Sequence, residues 1–211
     1  MPETVNPGQE CVLWLVRHGQ TDWNLQGRYQ GHADPPLNAV GLAEAAHAAQ
    51  ELSKLNLDAL FCSDLLRAVQ TAEQIAAATG LPCFVDPRLR EVNLGGWEGM
   101  LSTDIKQNFP AEIEARRRDP VGYRPPGGET LGEVAGWIFQ ALDEITALYP
   151  GGQVAVVSHG LALAVLIARA HGMEPGCAYE LIPPNAVPQP VIWSPDGVHT
   201  IESQSPSSGK P

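Results

Sequence analysis

Two short motifs combine a histidine with a following glycine: Arg17-His18-Gly19 and Ser158-His159-Gly160. Arg67 lies between them in the sequence. An imidazole can serve as a nucleophile, and guanidinium groups can bind the oxygen atoms of an anion such as a phosphoryl group. The glycines allow a ligand to approach the backbone closely. Each side chain alone is explained as well by a surface position, but together they indicate one anion-binding catalytic pocket.

Both histidine motifs come directly after runs of residues that are typical of buried strands. Residues 11–16 form the apolar run CVLWLV, residues 59–62 form ALFC, and residues 153–157 form QVAVV. Apolar runs of this length that end at polar residues are typical of strands buried on both faces. In an open α/β sheet, ligands bind beyond the carboxyl ends of the strands. We therefore expect the polar residues at the ends of these runs to meet at one edge of a sheet.

Helical patterns alternate with these strands. Apolar residues repeat at intervals of three and four over residues 41–52, and a second helical stretch runs from Ser63 to about Thr79. Thr130 and Glu133 have the spacing of a capping box at the start of a third helix. Residues 161–170 have the pattern of a fourth helix. The alternation predicts the α/β class, a three-layer sandwich whose mostly parallel central sheet is flanked by helices.

Length and composition favour one globular domain. The chain has 211 residues, of which 44% are hydrophobic, enough for one substantial core. We expect a single catalytic domain over residues 1–202 with a lid-like insertion at about residues 100–126. Residues 203–211 are polar and are expected to form a flexible C-terminal tail.

The charge balance limits the classes of partner and location. The chain has 13 Lys and Arg against 24 Asp and Glu, a formal net charge of −11, which disfavours nucleic acid as a partner. The most apolar stretch, residues 154–170, is interrupted by Ser158, His159 and Arg169, so we expect no membrane span. No secretion signal is recognised at the start, and a cytoplasmic location is expected. The four cysteines have no CxxC spacing and are interpreted as reduced structural residues.

Several segments, taken in chain order, resemble a known family. Residues 15–24, LVRHGQTDWN, are similar to the signature of the histidine phosphatase superfamily, the phosphoglycerate-mutase-like proteins. The resemblance covers nearly the whole chain and implies the fold of that family. The other matching segments are GHADPPL from Gly31, SDLLRAVQTA from Ser63, LREVNLGGWEG from Leu89, PPGGET from Pro125 and VVSHG from Val156.

The resemblance implies roles for individual residues. His18 would be the nucleophile that forms a phosphohistidine, and Glu91 would donate and accept the proton. We expect a hydrogen bond from His18 to a backbone carbonyl that orients the ring. Glu98 is a rival acid that we interpret as structural. Arg17, Arg67 and His159 would act in catalysis, and the substrate-binding positions would be Arg17, Asn24, Gln30, Gly31, Arg67, His159 and Gly160.

No cofactor or metal is expected, because Arg17, Arg67 and His159 supply the positive charge that a metal ion would otherwise bring. A zinc hydrolase built on His18, His159 and a carboxylate is an alternative, but no HExxH or paired-Cys motif supports it. Residues 116–118 are three arginines. We interpret them as a solvated helix end, with a lid that attracts anionic substrates as the alternative.

The leading hypothesis is hydrolysis of a small phosphorylated metabolite by a monomer or homodimer. In the cofactor-dependent phosphoglycerate mutases that the chain resembles, the acid corresponding to Glu91 is followed by an arginine. Here the next residue is Val92, and the segment NLGGWEG is similar to the phosphatase branch, including broad-specificity and alpha-ribazole phosphatases. Phosphoglycerate mutase activity and a catalytically idle binding module are the alternatives.

Overall fold

A computed structural model describes residues 10–194 and 197–200 of the chain. Within these residues, six strands form one sheet in the order β3-β2-β4-β1-β5-β6. The first four strands in this order are parallel, and β5 and β6 extend the sheet in antiparallel fashion beside β1. The strands are β1 (Cys11–Arg17), β2 (Ala59–Cys62), β3 (Cys83–Val85), β4 (Gln153–Ser158), β5 (Gln189–Ser194) and β6 (Gly197–Thr200).

Helices cover both faces of this sheet. The α-helices of the described part are α1 (Asp22–Gln26), α2 (Ala39–Leu52), α3 (Leu66–Thr79), α4 (Ser102–Asn108), α5 (Pro110–Arg118), α6 (Leu131–Leu148) and α7 (Gly160–Ala170). Short 3₁₀ helices span Pro87–Leu89, Gly95–Trp97 and Pro175–Glu180. None of the helices within the described ranges is both long enough and apolar enough to cross a membrane.

The strands are buried on both faces because their side chains alternate between two apolar clusters. Leu13 and Leu15 of β1 pack in one cluster with residues of α6 and α7. Val16 packs in the other cluster, with residues of α2 and α3. The predicted α/β class and the mostly parallel sheet flanked by helices are therefore confirmed.

The predicted elements are present with shifted ends. The helix predicted from residue 41 begins at Ala39, because the Asn38 side chain caps it by accepting from the Gly41 amide at 2.9 Å. The helix predicted from Ser63 begins only at Leu66, since Ser63 Oγ accepts instead from the Leu65 amide at 3.2 Å. The capping box of Thr130 and Glu133 is present at the start of α6.

The domain boundaries stay predictions. This holds for the single domain over residues 1–202 and for the lid-like insertion at about residues 100–126, although α4 and α5 lie in that insertion. The predicted tail, residues 203–211, lies outside the described residues.

The cysteines are arranged in a way that their sequence spacing does not indicate. Cys62 and Cys83 lie on the neighbouring strands β2 and β3, with sulfur atoms 3.2 Å apart. All four cysteines are free thiols.

Candidate active site

A cleft of about 180 Å³ opens at the carboxyl ends of the parallel strands. Of the site residues predicted from the sequence, it is lined by Arg17, His18, Asn24, Gln30, Gly31, Arg67, Glu91 and Gly160. The His159 ring lies behind this lining, with its centroid 5.2 Å from that of the His18 ring. The structure thus brings all the predicted site residues together.

His18 comes directly after β1 and is held on both sides. Its backbone amide donates to the Ser158 carbonyl at 3.0 Å, so the two histidine motifs are bonded to each other. The His18 Nδ1 atom lies 2.8 Å from the Gly19 carbonyl oxygen, the backbone partner expected from the sequence. Because a carbonyl only accepts, Nδ1 carries the proton. Nε2 is then the unprotonated atom, and it accepts from Arg67 Nε at 3.3 Å.

The surroundings of His18 keep its imidazole neutral. The side chain is buried, and burial lowers its pKa well below 6.5, with Arg67 and Arg17 adding to the effect. The Gly19 bond acts in the opposite direction. A neutral imidazole whose Nε2 is unprotonated has the form that a nucleophile needs.

The hydrogen bonding of His159 differs from that of His18. It is fully buried, and within the described residues neither ring nitrogen has a hydrogen-bond partner. Burial, followed by the charge of Arg67, lowers its pKa well below 6.5. A buried polar group without a partner costs roughly 1–3 kcal/mol. The ring is therefore arranged to gain from a ligand that supplies a partner.

Arg67 binds the loop that closes one side of the cleft. Its guanidinium donates to the carbonyl oxygens of Gly31 and Ala33, each at 2.8 Å, in addition to His18. Burial lowers the pKa of Arg67 to about 10, so the group is a cation at neutral pH. Gly31 has φ of 54° and packs against Glu98, whose Oε1 leaves no room for an added Cβ.

Glu98 supports the same loop. Its Oε1 accepts from the amides of His32 at 2.8 Å and Leu94 at 3.1 Å. These bonds favour the structural interpretation of Glu98.

Glu91 lies at the N-terminus of α7. Its Oε2 accepts from the Leu161 amide at 3.1 Å, and its Oε1 accepts from Ala162 at 3.1 Å and from Val92 at 3.0 Å. A Cβ at Gly160 would lie 3.5 Å from Glu91 Oε2 and 3.6 Å from Arg17 Nε. The glycine therefore leaves open the space between this carboxylate and the guanidinium of Arg17.

Three further predicted residues complete the polar lining. Arg17 Nη1 donates to the Pro183 carbonyl at 2.9 Å, and its buried Nε has no partner among the described residues. The oxygen atoms of Asn24 and Gln30 both accept from Thr21, at 3.0 and 3.2 Å. Because their oxygen atoms are used internally, the amide nitrogens are the ends of these side chains available to a ligand.

Comparison with known proteins identifies the family. The model of the histidine phosphatase superfamily, branch 1, matches residues 13–201. This chain belongs to that superfamily. The probable phosphoglycerate mutase GpmB of Yersinia enterocolitica is 38% identical over 167 residues, 77% of this chain and 76% of the relative.

Two solved structures of the superfamily have names from its phosphatase side. The alpha-ribazole phosphatase of Shigella flexneri has a TM-score of 0.80 at 27% identity, covering 90% of this chain and 94% of that one. A mycobacterial glucosyl-3-phosphoglycerate phosphatase has a TM-score of 0.76 at 34% identity, covering 88% and 92%. The names of these proteins include both a mutase and phosphatases. The comparisons therefore establish the superfamily but not which of the two reactions this chain catalyses.

The interpretation preferred from the sequence did not place Arg116 in this superfamily member's cleft. Arg116 lines it, with its guanidinium carbon 5.7, 5.4 and 5.3 Å from the ring centroids of Tyr29, Trp97 and Tyr179. One nitrogen of Arg116 donates to the Tyr29 hydroxyl at 3.1 Å. The interpretation of a solvated helix end is therefore wrong for Arg116.

The next two arginines of α5, Arg117 and Arg118, do form a solvated helix end. Arg117 and Arg118 are exposed, and among the described residues their ion pairs are with Glu114, on their own helix. Successive residues of a helix point in directions about 100° apart, so one helix can present a charged residue to the cleft and its neighbours to solvent.

The completed lining is strongly cationic. Arg28 also lines the cleft, which therefore contains four arginines and one carboxylate, Glu91. The formal net charge of these five side chains is +3, in a chain whose net charge is −11. Within residues 10–194 and 197–200, no group of three or more His, Cys, Asp or Glu side chains is arranged to hold a metal ion. Metal independence stays a prediction.

Proposed function

We propose that this chain hydrolyses phosphomonoesters of small metabolites through a phosphohistidine on His18. The observation that carries the proposal is the state of that ring: Nδ1 is bonded to the Gly19 carbonyl, and Nε2 is unprotonated, with its electron pair accepting from Arg67 Nε. A phosphoryl group that takes over this contact lies between a nucleophile and a cation, as phosphoryl transfer requires.

The reaction has two steps. In the first, His18 Nε2 attacks phosphorus, the ester P–O bond breaks, and the leaving oxygen takes a proton from the Glu91 carboxyl. In the second, water attacks phosphorus, gives a proton to the Glu91 carboxylate, and the P–N bond breaks to release phosphate and neutral His18. Glu91 is suited to both steps because three backbone amides fix its orientation in the cleft.

The buried donors suit a phosphoryl group. During transfer, negative charge is spread over three equatorial oxygens. Arg17 Nε and both ring nitrogens of His159 are buried without partners among the described residues, and such an anion would supply the missing acceptors. A bound dianion also favours protonation of His159, which would then donate from both nitrogens.

The cationic lining supports substrates with a second negative group. A phosphoryl dianion balances two of the three net positive charges in the cleft. Arg116 and Arg28 are the arginines not assigned to the phosphoryl group, so we assign them to the distal part of the substrate. The same observation supports mutase activity as a second candidate, because Arg116 can supply charge that Val92 cannot.

Val92 favours net hydrolysis over mutase activity, in which the phosphoryl group passes to another hydroxyl instead of water. Its side chain is buried in the apolar cluster under α6 and α7 and contributes no charge to the cleft. A mutase must hold the distal carboxylate and exclude water from a long-lived phosphohistidine, which calls for charged clamps around the substrate.

Trapping of the intermediate tests the proposal. Enzyme mixed with a phosphorus-labelled ester and quenched in alkali should have acid-labile, alkali-stable label on His18. His18→Ala should abolish the label and reduce kcat on the order of 10⁶-fold, as loss of a nucleophile does in other enzymes. His47→Ala is the matched control, because His47 is exposed on α2 with 71% of its side chain accessible, and it should label normally.

The same preparation separates the alternatives. We expect phosphate release that a chelator leaves unchanged, with little conversion of 3- to 2-phosphoglycerate. Conversion that needs 2,3-bisphosphoglycerate and far outpaces phosphate release would establish the mutase instead. Absence of label with every ester tried would favour the idle binding module, and activity lost to a chelator and restored by zinc would favour metal catalysis.

A further inference from the structure

The end of β1 is supported differently on its two sides. Toward β4, pairing continues through Arg17, opposite Ser158. Toward β5, pairing stops at Leu15, opposite Gln189. The two residues most important to the proposed reaction, Arg17 and His18, therefore extend beyond the antiparallel partner strand.

Residues 183–186 occupy the side that β5 leaves open. The Ala186 amide donates to the Arg17 carbonyl at 2.8 Å, and Arg17 Nη1 donates to the Pro183 carbonyl at 2.9 Å. The Asn185 side chain extends the pattern by one residue, because its Nδ2 donates to the His18 carbonyl at 2.7 Å. An amide side chain thus takes the place that a strand backbone would occupy.

The backbone of this segment adopts an unfavourable conformation to make these contacts. Ala186 has φ of 49°, and it is the one residue other than glycine in the described ranges with positive φ. Residues other than glycine rarely adopt this left-handed conformation, so it persists only where the surroundings impose it. The flanking Pro183, Pro184 and Pro188 restrict the alternatives open to the segment.

We propose that Asn185 is a positioning residue for the nucleophile, an inference that rests on the proposed function. The His18 ring is oriented by its bond to the Gly19 carbonyl, so it depends on the backbone at His18 and Gly19. Thr71 holds the Gly19 amide at 3.0 Å, and Asn185 holds the His18 carbonyl. Without the amide donor, the peptide between His18 and Gly19 keeps the Thr71 bond at its amide but loses the partner of its carbonyl, so it can tilt and Nε2 loses its alignment with phosphorus.

Two substitutions remove the donor in different ways. Asn185→Asp keeps the shape but puts an acceptor against the His18 carbonyl, and Asn185→Ala leaves the carbonyl without this partner. A misplacement of about 1 Å can cost on the order of 10²-fold in rate. We expect the rate constant for phosphohistidine formation to fall by about 10- to 100-fold in both variants, with KM changed little. Val187→Ala, an exposed position of the same stretch, is the matched control and should behave as wild type.

Two further readouts distinguish positioning from a general structural role. The loss should be the same for aryl and alkyl phosphates, since it concerns the nucleophile and not the leaving group. Affinity for vanadate, which copies the five-coordinate geometry of in-line attack, should fall in parallel with the rate, while inhibition by inorganic phosphate and the Tm stay near wild type.

Each result decides one question. Wild-type rates of label formation in both variants would overturn the role of Asn185 while leaving the proposed function intact. Parallel losses of vanadate and phosphate affinity together with a large drop in Tm would also overturn it, in favour of a folding role. Failure of the wild-type enzyme to label at all would be a failure of the proposed function instead.

Discussion

The ends of β1 and β4 have the same two residues, a histidine and then a glycine, on adjacent parallel strands. Both histidines are buried, and burial lowers the pKa of each well below 6.5. Their hydrogen bonds differ. His18 has a partner on each ring nitrogen, whereas His159 has none among the described residues. One ring is oriented before a ligand arrives, and the other is left unsatisfied until it does.

The difference shows how neighbouring elements assign chemistry to identical sequence. At the end of β1 the chain continues into a turn whose own Gly19 carbonyl accepts from His18. At the end of β4 the chain enters α7 at once, and the first amides of that helix bind the Glu91 carboxylate. We infer a nucleophile at the first end, and an anion-binding group with a proton carrier at the second. Substitutions of Glu91 and of the two histidines test this division.

After the loss of His18 itself, the largest expected effect concerns Glu91, the carboxylate that the β4 end holds. Glu91→Gln should slow alkyl phosphates by about 10²- to 10⁴-fold, the usual contribution of general acid catalysis. Aryl phosphates, whose leaving groups need less protonation, should be slowed much less. The measurement is kcat/KM across a series of leaving groups. Equal losses across the series would mean that Glu91 only binds or supports the cleft.

Glu98→Gln is the control for that experiment. Glu98 binds the amides of His32 and Leu94, so its substitution should lower stability without a dependence on the leaving group. A leaving-group dependence comparable to that of Glu91→Gln would assign the role of proton donor to Glu98 instead.

A smaller effect is expected at His159. Removal of one preorganised donor from a charge-stabilising site typically lowers kcat by about 10²- to 10³-fold. His159→Gln should do so while His18 still becomes phosphorylated. Loss of labelling in a variant that is still folded would contradict the division of roles between the two ends.

The local parts of this site could be predicted from the sequence. An apolar run that ends at Arg17 and His18 specifies a buried strand with these two residues at its carboxyl end, and the same holds for His159. The parallel order of β1, β4 and β2 then brings those ends to one edge. Even the carbonyl partner of His18 is its neighbour in sequence.

The parts that sequence reasoning missed depend on distant packing. Arg116 contacts the aromatic rings of Tyr29 and Tyr179, which are both more than 60 residues away in the sequence. The rotation of α5 about its axis decides which of the three successive arginines makes these contacts. Because these partners lie far from residues 116–118 in the sequence, no local pattern identifies which of the three arginines contacts them. Asn185 lies in no motif, and its contact with His18 depends on where β5 stops pairing.

The smallest expected effect is on stability against pH, and its sign is set by the shifted pKa values. Both histidines are neutral in the folded state and titrate near 6.5 when unfolded, so below that pH the unfolded chain binds protons that the folded chain does not. The stabilisation is complete above about pH 6.5 and is lost as pH falls toward the folded pKa values, by at most about 1.4 kcal/mol per pH unit for each histidine.

Denaturant unfolding between pH 5 and 7 tests this dependence. The slope of the free energy of unfolding against pH should be reduced by about half in His18→Gln and likewise in His159→Gln. Saturating inorganic phosphate should reduce the slope of the wild type and of both variants, since the dianion provides a partner for a protonated His159 and for a proton added to His18 Nε2, the atom that faces the phosphoryl group. Slopes that are the same in wild type and both variants would mean that neither ring is held neutral, and the contrast between the two strand ends would fail.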